Sequence, residues 1–402
     1  MALSIAELVI LSFIIVWSFT KIKVPPLIGM LLLGVVFGPY VLNILAPGLL
    51  AVSGDLRMVA LIVILLRAGF ELSRKTLKRV GGTALLLAFI PAIFEGVTIA
   101  FLAPFFLPLS FLEAAILGTI IAAVSPAVVV PLMLNFIEQK KGTRKGIPTM
   151  MLAASSIDDV FVIVVYSALI GIYTGQQINL TFEIIGIPIS IILGIAIGIG
   201  IGIILYKIFD RFNPRATKRV LIILAISVLL THIEHLIKDL LPFASLLVVM
   251  AIGFIILEKR EKYAHEISAK LAKLWIFAEI ILFTMVGAQV NIEVAFNTGL
   301  VGVLIILVGL VARSLGTYLC LFGTAFTFSE KMFVIISYLP KATVQAAIGG
   351  APLIAMSFAG MNTAPGEVIL AVAVLSILLT APLGAIAISY FGNKVLESEK
   401  NA

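Results

Sequence analysis

Thirteen long apolar stretches follow one another along the chain, and they constrain the fold more than any other feature of the sequence. A helix needs about 20 apolar residues to cross the hydrocarbon core of a bilayer, and most of these stretches reach that length. They cover residues 3–20, 26–46, 55–73, 79–104, 111–137, 147–173, 183–207, 218–237, 240–258, 270–291, 299–322, 330–355 and 364–393. Only 12% of the residues are charged, against about 25% in a soluble domain. The sequence therefore predicts an all-helical polytopic membrane protein with 13 transmembrane helices.

The loops between these stretches alternate between a basic and a nearly uncharged kind. Most of the 28 lysines and arginines lie in one set of loops, which includes residues 74–79, 140–145 and 207–219, whereas the other set carries only Arg57 and Lys238. Because basic loops stay in the cytoplasm, we expect the N-terminus outside and the C-terminus inside a plasma membrane, with a prokaryotic inner membrane as the setting. The net charge of +7 then reflects orientation in the lipid bilayer, and we expect no nucleic-acid partner.

Two adjacent carboxylates, Asp158 and Asp159, lie in the middle of the apolar run from Gly146 to Gly175. A helix rises about 1.5 Å per residue, so Asp158 lies about 18 Å from Gly146, near the midplane of the bilayer. A charge there costs several kcal/mol, and an intramembrane acid therefore indicates a path for an ion or a proton. Neighbouring helical residues point about 100° apart, which argues against a membrane aspartyl protease, because that enzyme needs two carboxylates sharing one proton.

Two of the stretches are interrupted by proline at a similar depth. The interruptions lie at residues 123–131 of the fifth stretch and 337–343 of the twelfth. Proline removes a helical hydrogen-bond donor, and unwound backbone persists inside a membrane only where protein or a cavity surrounds it. Because the two stretches are seven apart, they run antiparallel, as do the broken helices at the binding sites of transporters built from inverted repeats. Two ordinary proline kinks are the alternative.

Three further charged residues lie within stretches at the depth of the aspartates: Glu95, Arg313 and Lys341. Arginine stays protonated in proteins and needs a permanent anion, for which Glu95 is the candidate. We expect Lys341 to pair with Asp158, which leaves Asp159 without a counter-charge. A desolvated carboxylate favours its neutral form, so Asp159 can hold a proton and exchange it for a cation. The alternative is that all five residues only pair with one another.

Three motifs together resemble the NHA branch of the monovalent cation/proton antiporters, which is similar to the bacterial sodium/proton antiporters. They are residues 123–131, 155–159 and 339–349, and the resemblance extends over nearly the whole chain, including residues 25–30. It implies inverted repeats with two discontinuous crossing helices, in the NhaA-like antiporter fold, and an elevator motion in a homodimer. The expected scaffold or dimerisation domain comprises residues 1–78 and 176–297, the ion-transport core comprises 79–175 and 298–396, and 397–402 form a short cytoplasmic tail.

The resemblance also assigns roles to particular residues. It implies that Asp159 binds the cation and the proton in turn, and that its neighbour Asp158 pairs with a base. The two aspartates would be the protein's ligands for sodium. Val124 would contribute its backbone carbonyl, and Ser125 and Thr343 would line the site. No cofactor is implied, since the only small molecules are the transported sodium or lithium ions and protons.

One position departs from the electrogenic bacterial relatives, which carry a lysine where this chain has Arg313. Because arginine does not release a proton, we expect one cation to exchange for one proton, without net charge transfer. Two protons per cation remain an alternative if an Asp158–Lys341 pair opens. The sequence also admits a potassium/proton antiporter, a sodium-coupled organic-solute symporter on the same fold, and a passive channel. Each of these is a transport function, and we expect no enzymatic activity.

Three lesser features complete the expectations. Gly194, Gly198 and Gly202 repeat every fourth residue and predict close packing of a membrane helix, between the two halves of the protein. Arg67 and Glu71 are spaced to pair on one helix face. Glu279 is a further membrane acid, predicted to be hydrogen-bonded or to line a gate, with a role as an ion ligand as the alternative.

Overall fold

The computed structural model describes residues 1–21, 26–70, 72, 74–174, 180–237, 243–289 and 292–398. Within these ranges the chain is helical and forms no strand, apart from one isolated bridge between Lys141 and Ser398. The helices are α1 (Ala2–Lys21), α2 (Pro26–Phe37), α3 (Pro47–Ala51), α4 (Ser53–Gly69), α5 (Arg74–Phe106), α6 (Phe111–Ala122), α7 (Pro126–Glu138), α8 (Ile147–Tyr173), α9 (Leu180–Phe212), α10 (Ala216–Ile237), α11 (Ser245–Lys259), α12 (Glu261–Ala288), α13 (Ile292–Cys320), α14 (Phe328–Ser337), α15 (Thr343–Ile348), α16 (Ala351–Phe358) and α17 (Ala364–Val395).

Nine segments of the described chain are long and apolar enough to span a bilayer. One of these membrane-capable segments, Phe111–Glu138, includes both α6 and α7 and the break between them. The shorter apolar helices include α2 and the segment Thr343–Phe358. The prediction of an all-helical, multi-pass membrane protein is therefore confirmed.

Helix α12 starts at Glu261, nine residues before the apolar stretch predicted from residue 270. Its polar first part is held by an ion pair between Glu266 and Arg219 on α10, which hydropathy does not reveal.

The helices pack into two groups. One group contains α5–α8 and α13–α17, in which α5 packs against α6, α8 and α13, and α17 packs against α13 and α14. The other contains α1–α4 and α9–α12, in which α11 packs on α9 and α4, and α12 packs on α2 and α4. The groups meet where α8 contacts α9 and α11, where α7 contacts α4, and where α17 contacts α2.

The glycines of α9 bring that helix close to α11. A Cβ atom at Gly198 would lie 2.6 Å from the carbonyl oxygen of Val248, and one at Gly194 would lie 2.8 Å from that of Ala244. Such distances are too short for a side chain, so the small residues permit the contact. The predicted packing role of the glycines is confirmed, but their partner α11 belongs to the same group of helices as α9.

Candidate ion-binding site

The two proline interruptions are real helix breaks, and they touch each other. The first separates α6 from α7 and the second separates α14 from α15. At their contact the backbone N–H of Ser125 donates to the carbonyl oxygen of Pro340, over 2.9 Å. Pro126 begins α7, a position where its missing N–H and fixed φ angle suit a helix start. The unwound segments therefore contact each other inside the group of helices formed by α5–α8 and α13–α17.

Two side chains bind the backbone carbonyls that the breaks expose. Arg313 on α13 donates to the carbonyl of Ala122 at the end of α6 and to that of Tyr338 at the end of α14. The side-chain amide of Gln345 donates to the carbonyl of Ile120 over 2.9 Å. The last carbonyls of a helix lack partners within it, and no water solvates them inside a bilayer. Arg313 therefore ties the two breaks together and satisfies part of each.

A buried ion-pair cluster surrounds Arg313. One carboxylate oxygen of Glu95, on α5, accepts hydrogen bonds from Arg313 over 2.9 Å and from Lys341 over 2.6 Å. All three side chains are fully buried. The predicted pairing of Glu95 with Arg313 is confirmed by this contact.

The predicted pairing of Lys341 with Asp158 is wrong, because Lys341 contacts Glu95 instead. The carboxylate of Asp158 accepts a hydrogen bond from the backbone N–H of Val124 over 2.7 Å, and a longer one from Arg313 over 3.4 Å. Lys341 lies in an unwound segment, so helical periodicity does not predict the direction in which its side chain points. The break also frees the Val124 N–H to bind a carboxylate, and the described contact of Val124 with Asp158 uses this donor and not its carbonyl oxygen.

Asp159 differs from its neighbour because one of its buried oxygens has no partner. The Asp159 Oδ1, Ser125 Oγ and Thr343 Oγ1 atoms are all buried and make no hydrogen bond to the described residues. Ser125 lies in the first break and Thr343 begins the helix after the second, so each break supplies one of these two hydroxyls. Leaving a buried polar group unpaired costs about 1–3 kcal/mol. Oxygen atoms of carboxylates, hydroxyls and carbonyls are the ligands that hard cations prefer.

Two polar contributors were missed by the sequence reasoning. Gln345 lies within the motif at residues 339–349, and an amide in an apolar stretch must find partners inside the protein. Thr380 on α17 accepts a hydrogen bond from the backbone N–H of Lys341 over 2.8 Å. A threonine that also bonds its own helix, as Thr380 does with Ser376, gives no sequence signal of such a role.

Two further predictions concern Arg67 on α4 and Glu279 on α12. Arg67 forms an ion pair with Glu138 at the end of α7, which links the two groups of helices. Its predicted partner Glu71 lies outside the described residues. Glu279 on α12 is half-buried, so it stays a candidate lining residue.

Two broken helices in contact and a buried ion-pair cluster lie among the nine membrane-capable segments of the described chain, an arrangement typical of a membrane transporter. The chain belongs to the sodium/hydrogen exchanger family, whose transmembrane model matches residues 8–394.

Several known proteins are similar to the chain over most of its length. It is 33% identical to mouse sodium/hydrogen exchanger 9B2 over 94% of the chain and 69% of the relative. It is 30% identical to human sodium/hydrogen exchanger 9B1 over 92% of the chain and 72% of the relative. Against human sodium/hydrogen exchanger 9B2 it is 33% identical and spans 64% of that protein's length.

The fold is also that of a solved antiporter. The sodium proton antiporter MjNhaP1 from Methanocaldococcus jannaschii superposes with a TM-score of 0.78 over 97% of both chains. The sequence identity in that comparison is 22%, so it establishes the likeness of the fold alone.

Proposed function

We propose that the protein exchanges sodium or lithium ions for protons, with Asp159 binding the cation and the proton in turn. The observation that carries this proposal is the buried Asp159 Oδ1 atom, which has no partner among the described residues, together with the hydroxyl oxygens of Ser125 and Thr343, which likewise find none there. A carboxylate in this position can be neutralised either by a proton or by a monovalent cation held among oxygen ligands. The names of the relatives as sodium/hydrogen exchangers support sodium as the cation.

The charge balance of the site supports electroneutral exchange. Glu95 and Asp158 supply two negative charges, and Arg313 and Lys341 supply two positive charges in direct contact with them. Asp159 adds one negative charge, which one proton or one monovalent cation neutralises. Exchange of a proton for a cation at Asp159 then leaves the net charge of the moving site unchanged, so the voltage across the membrane does no work on it.

We favour one proton per cation over the alternative of two. That alternative required an Asp158–Lys341 pair that opens during transport, whereas Lys341 contacts Glu95 over 2.6 Å. One proton per cation is therefore our proposal for the stoichiometry.

The two groups of helices are proposed to move relative to each other during transport. We assign α5–α8 and α13–α17 to a core that carries the site, and α1–α4 and α9–α12 to a scaffold that forms the homodimer, with inverted repeats in a 13-span arrangement. The limited set of contacts between the groups, along α7, α8 and α17, supports an elevator displacement of one against the other. The basic loops support a plasma-membrane topology with the N-terminus outside; a prokaryotic setting stays a prediction.

The proposal is tested by proton flux in proteoliposomes that contain the purified protein and a pH-sensitive dye. We expect sodium and lithium gradients to drive proton movement at a rate that a voltage imposed with potassium and valinomycin does not change. Flux with potassium alone would favour a potassium/proton antiporter. A current that accompanies sodium flux would contradict electroneutral exchange, and sodium uptake without proton movement would favour a solute symporter.

A further inference from the structure

The two broken helices begin with the same capping arrangement. In α6 the backbone N–H of Ser110 donates to Glu113 over 2.6 Å, and the N–H of Glu113 donates to the Ser110 hydroxyl over 3.4 Å. In α14 the N–H of Thr327 donates to Glu330 over 2.7 Å, and the N–H of Glu330 donates to the Thr327 hydroxyl over 3.3 Å. Each is a capping box, which satisfies two of the free N–H groups at a helix start.

Each capping glutamate also holds one end of α8, the helix that carries the aspartates. The Tyr173 hydroxyl, at the last residue of α8, donates to Glu113 over 2.5 Å. The Lys145 ammonium, two residues before the first residue of α8, donates to Glu330 over 2.6 Å. With 27 residues, α8 is about 40 Å long, so the two links lie at opposite ends of a complete membrane span.

Capping alone does not require these links. A capping box is complete with its serine or threonine and its glutamate. Here Glu113 is 8% exposed and Glu330 is 4% exposed. The extra donors come from a phenol at one end of α8 and an ammonium group at the other, so two chemically different groups serve the same arrangement. Both links connect a capping glutamate to an end of α8, the helix that carries Asp158 and Asp159.

We propose that Glu113 and Glu330 are positioning residues for the cation site, because they fix α8 along its axis relative to the two broken helices. This inference rests on the proposed function. The contact that needs this register is the 2.7 Å hydrogen bond between the Val124 N–H and Asp158. A shift of α8 by the rise of a single residue, about 1.5 Å, would break that bond and displace Asp159 with it. Because the links lie at opposite ends of α8, they oppose a shift in either direction.

The test removes the links and leaves both capping boxes in place. We expect Tyr173→Phe and Lys145→Met each to raise the apparent KM for sodium about fivefold, the effect of one lost hydrogen bond, with kcat nearly unchanged. The double variant raises KM further, and Lys145→Arg restores it. Glu330→Gln behaves as Lys145→Met does, since glutamine keeps the cap but loses the charge. The matched controls Tyr390→Phe and Lys140→Ala alter exposed residues of the same types and leave KM unchanged.

A second readout does not depend on transport. Hydrogen exchange in the segment 119–129 reports the Val124–Asp158 bond, and we expect faster exchange there in Tyr173→Phe and Lys145→Met than in the two controls. Wild-type KM and wild-type exchange in both link variants, with only a lowered melting temperature, would overturn the inference. Absence of cation-driven flux in the wild type would instead overturn the proposed function, while the exchange measurement would still decide the inference.

Discussion

Asp159→Asn should reduce sodium-driven proton flux to the level of protein-free liposomes. Asparagine keeps the shape of the side chain but neither releases a proton nor neutralises a cation. The folded protein should survive, because the substitution removes a buried charge whose Oδ1 atom has no partner in the described chain. Flux is measured in proteoliposomes, and thermal unfolding in detergent confirms that the variant is folded.

The control for this substitution is Asp55→Asn, which changes an exposed aspartate of α4 outside the site. It should transport at the wild-type rate. Sodium-driven flux in Asp159→Asn equal to that of the wild type would move the carrier elsewhere, and Asp158 and Glu279 would then be the residues to substitute next.

Glu95→Gln should lower both stability and transport by a large amount. Glu95 is the shared anion of Arg313 and Lys341, and the substitution removes the described ion-pair partner of Lys341 and leaves Arg313 with only its longer contact to Asp158. Breaking a buried pair by removing one partner costs about 3–5 kcal/mol. We expect a lower melting temperature in detergent and a loss of flux, because Arg313 also holds the carbonyls at the two breaks.

The charge explanation makes a further prediction that a simple packing effect does not. The double variant Glu95→Gln with Lys341→Gln removes one charge of each sign and should recover part of the lost stability. Glu367→Gln, at an exposed position near the start of α17, is the control and should be neutral. Wild-type stability of the single Glu95→Gln variant would contradict the shared-anion role.

The elements that the sequence predicted are those encoded locally. Apolar length located the membrane helices, and the prolines at 126 and 340 located the two breaks, since proline disrupts the helix around it. The pairing of Glu95 with Arg313 followed from the rule that a permanent charge inside a membrane needs an opposite one.

The remaining features depend on contacts between distant parts of the chain. Lys341 contacts Glu95 and not Asp158, because its side chain leaves an unwound segment whose direction no periodicity describes. The target of Gln345 is a carbonyl more than 200 residues earlier in the sequence, at Ile120. The capping glutamates were equally hidden, because a capping box predicts a helix start and not a second partner on another helix.

The most direct test of competition between cation and proton at Asp159 is the number of protons released when sodium binds to the purified protein. Calorimetric titration in buffers of different ionisation enthalpy gives this number without any need for transport. At a pH where Asp159 is protonated, we expect about one proton released per sodium bound by the wild type, the value that replacement at one carboxylate requires. Asp159→Asn should show no such exchange. Sodium binding without proton release in the wild type at any pH, or equal release in both proteins, would contradict a shared site at Asp159.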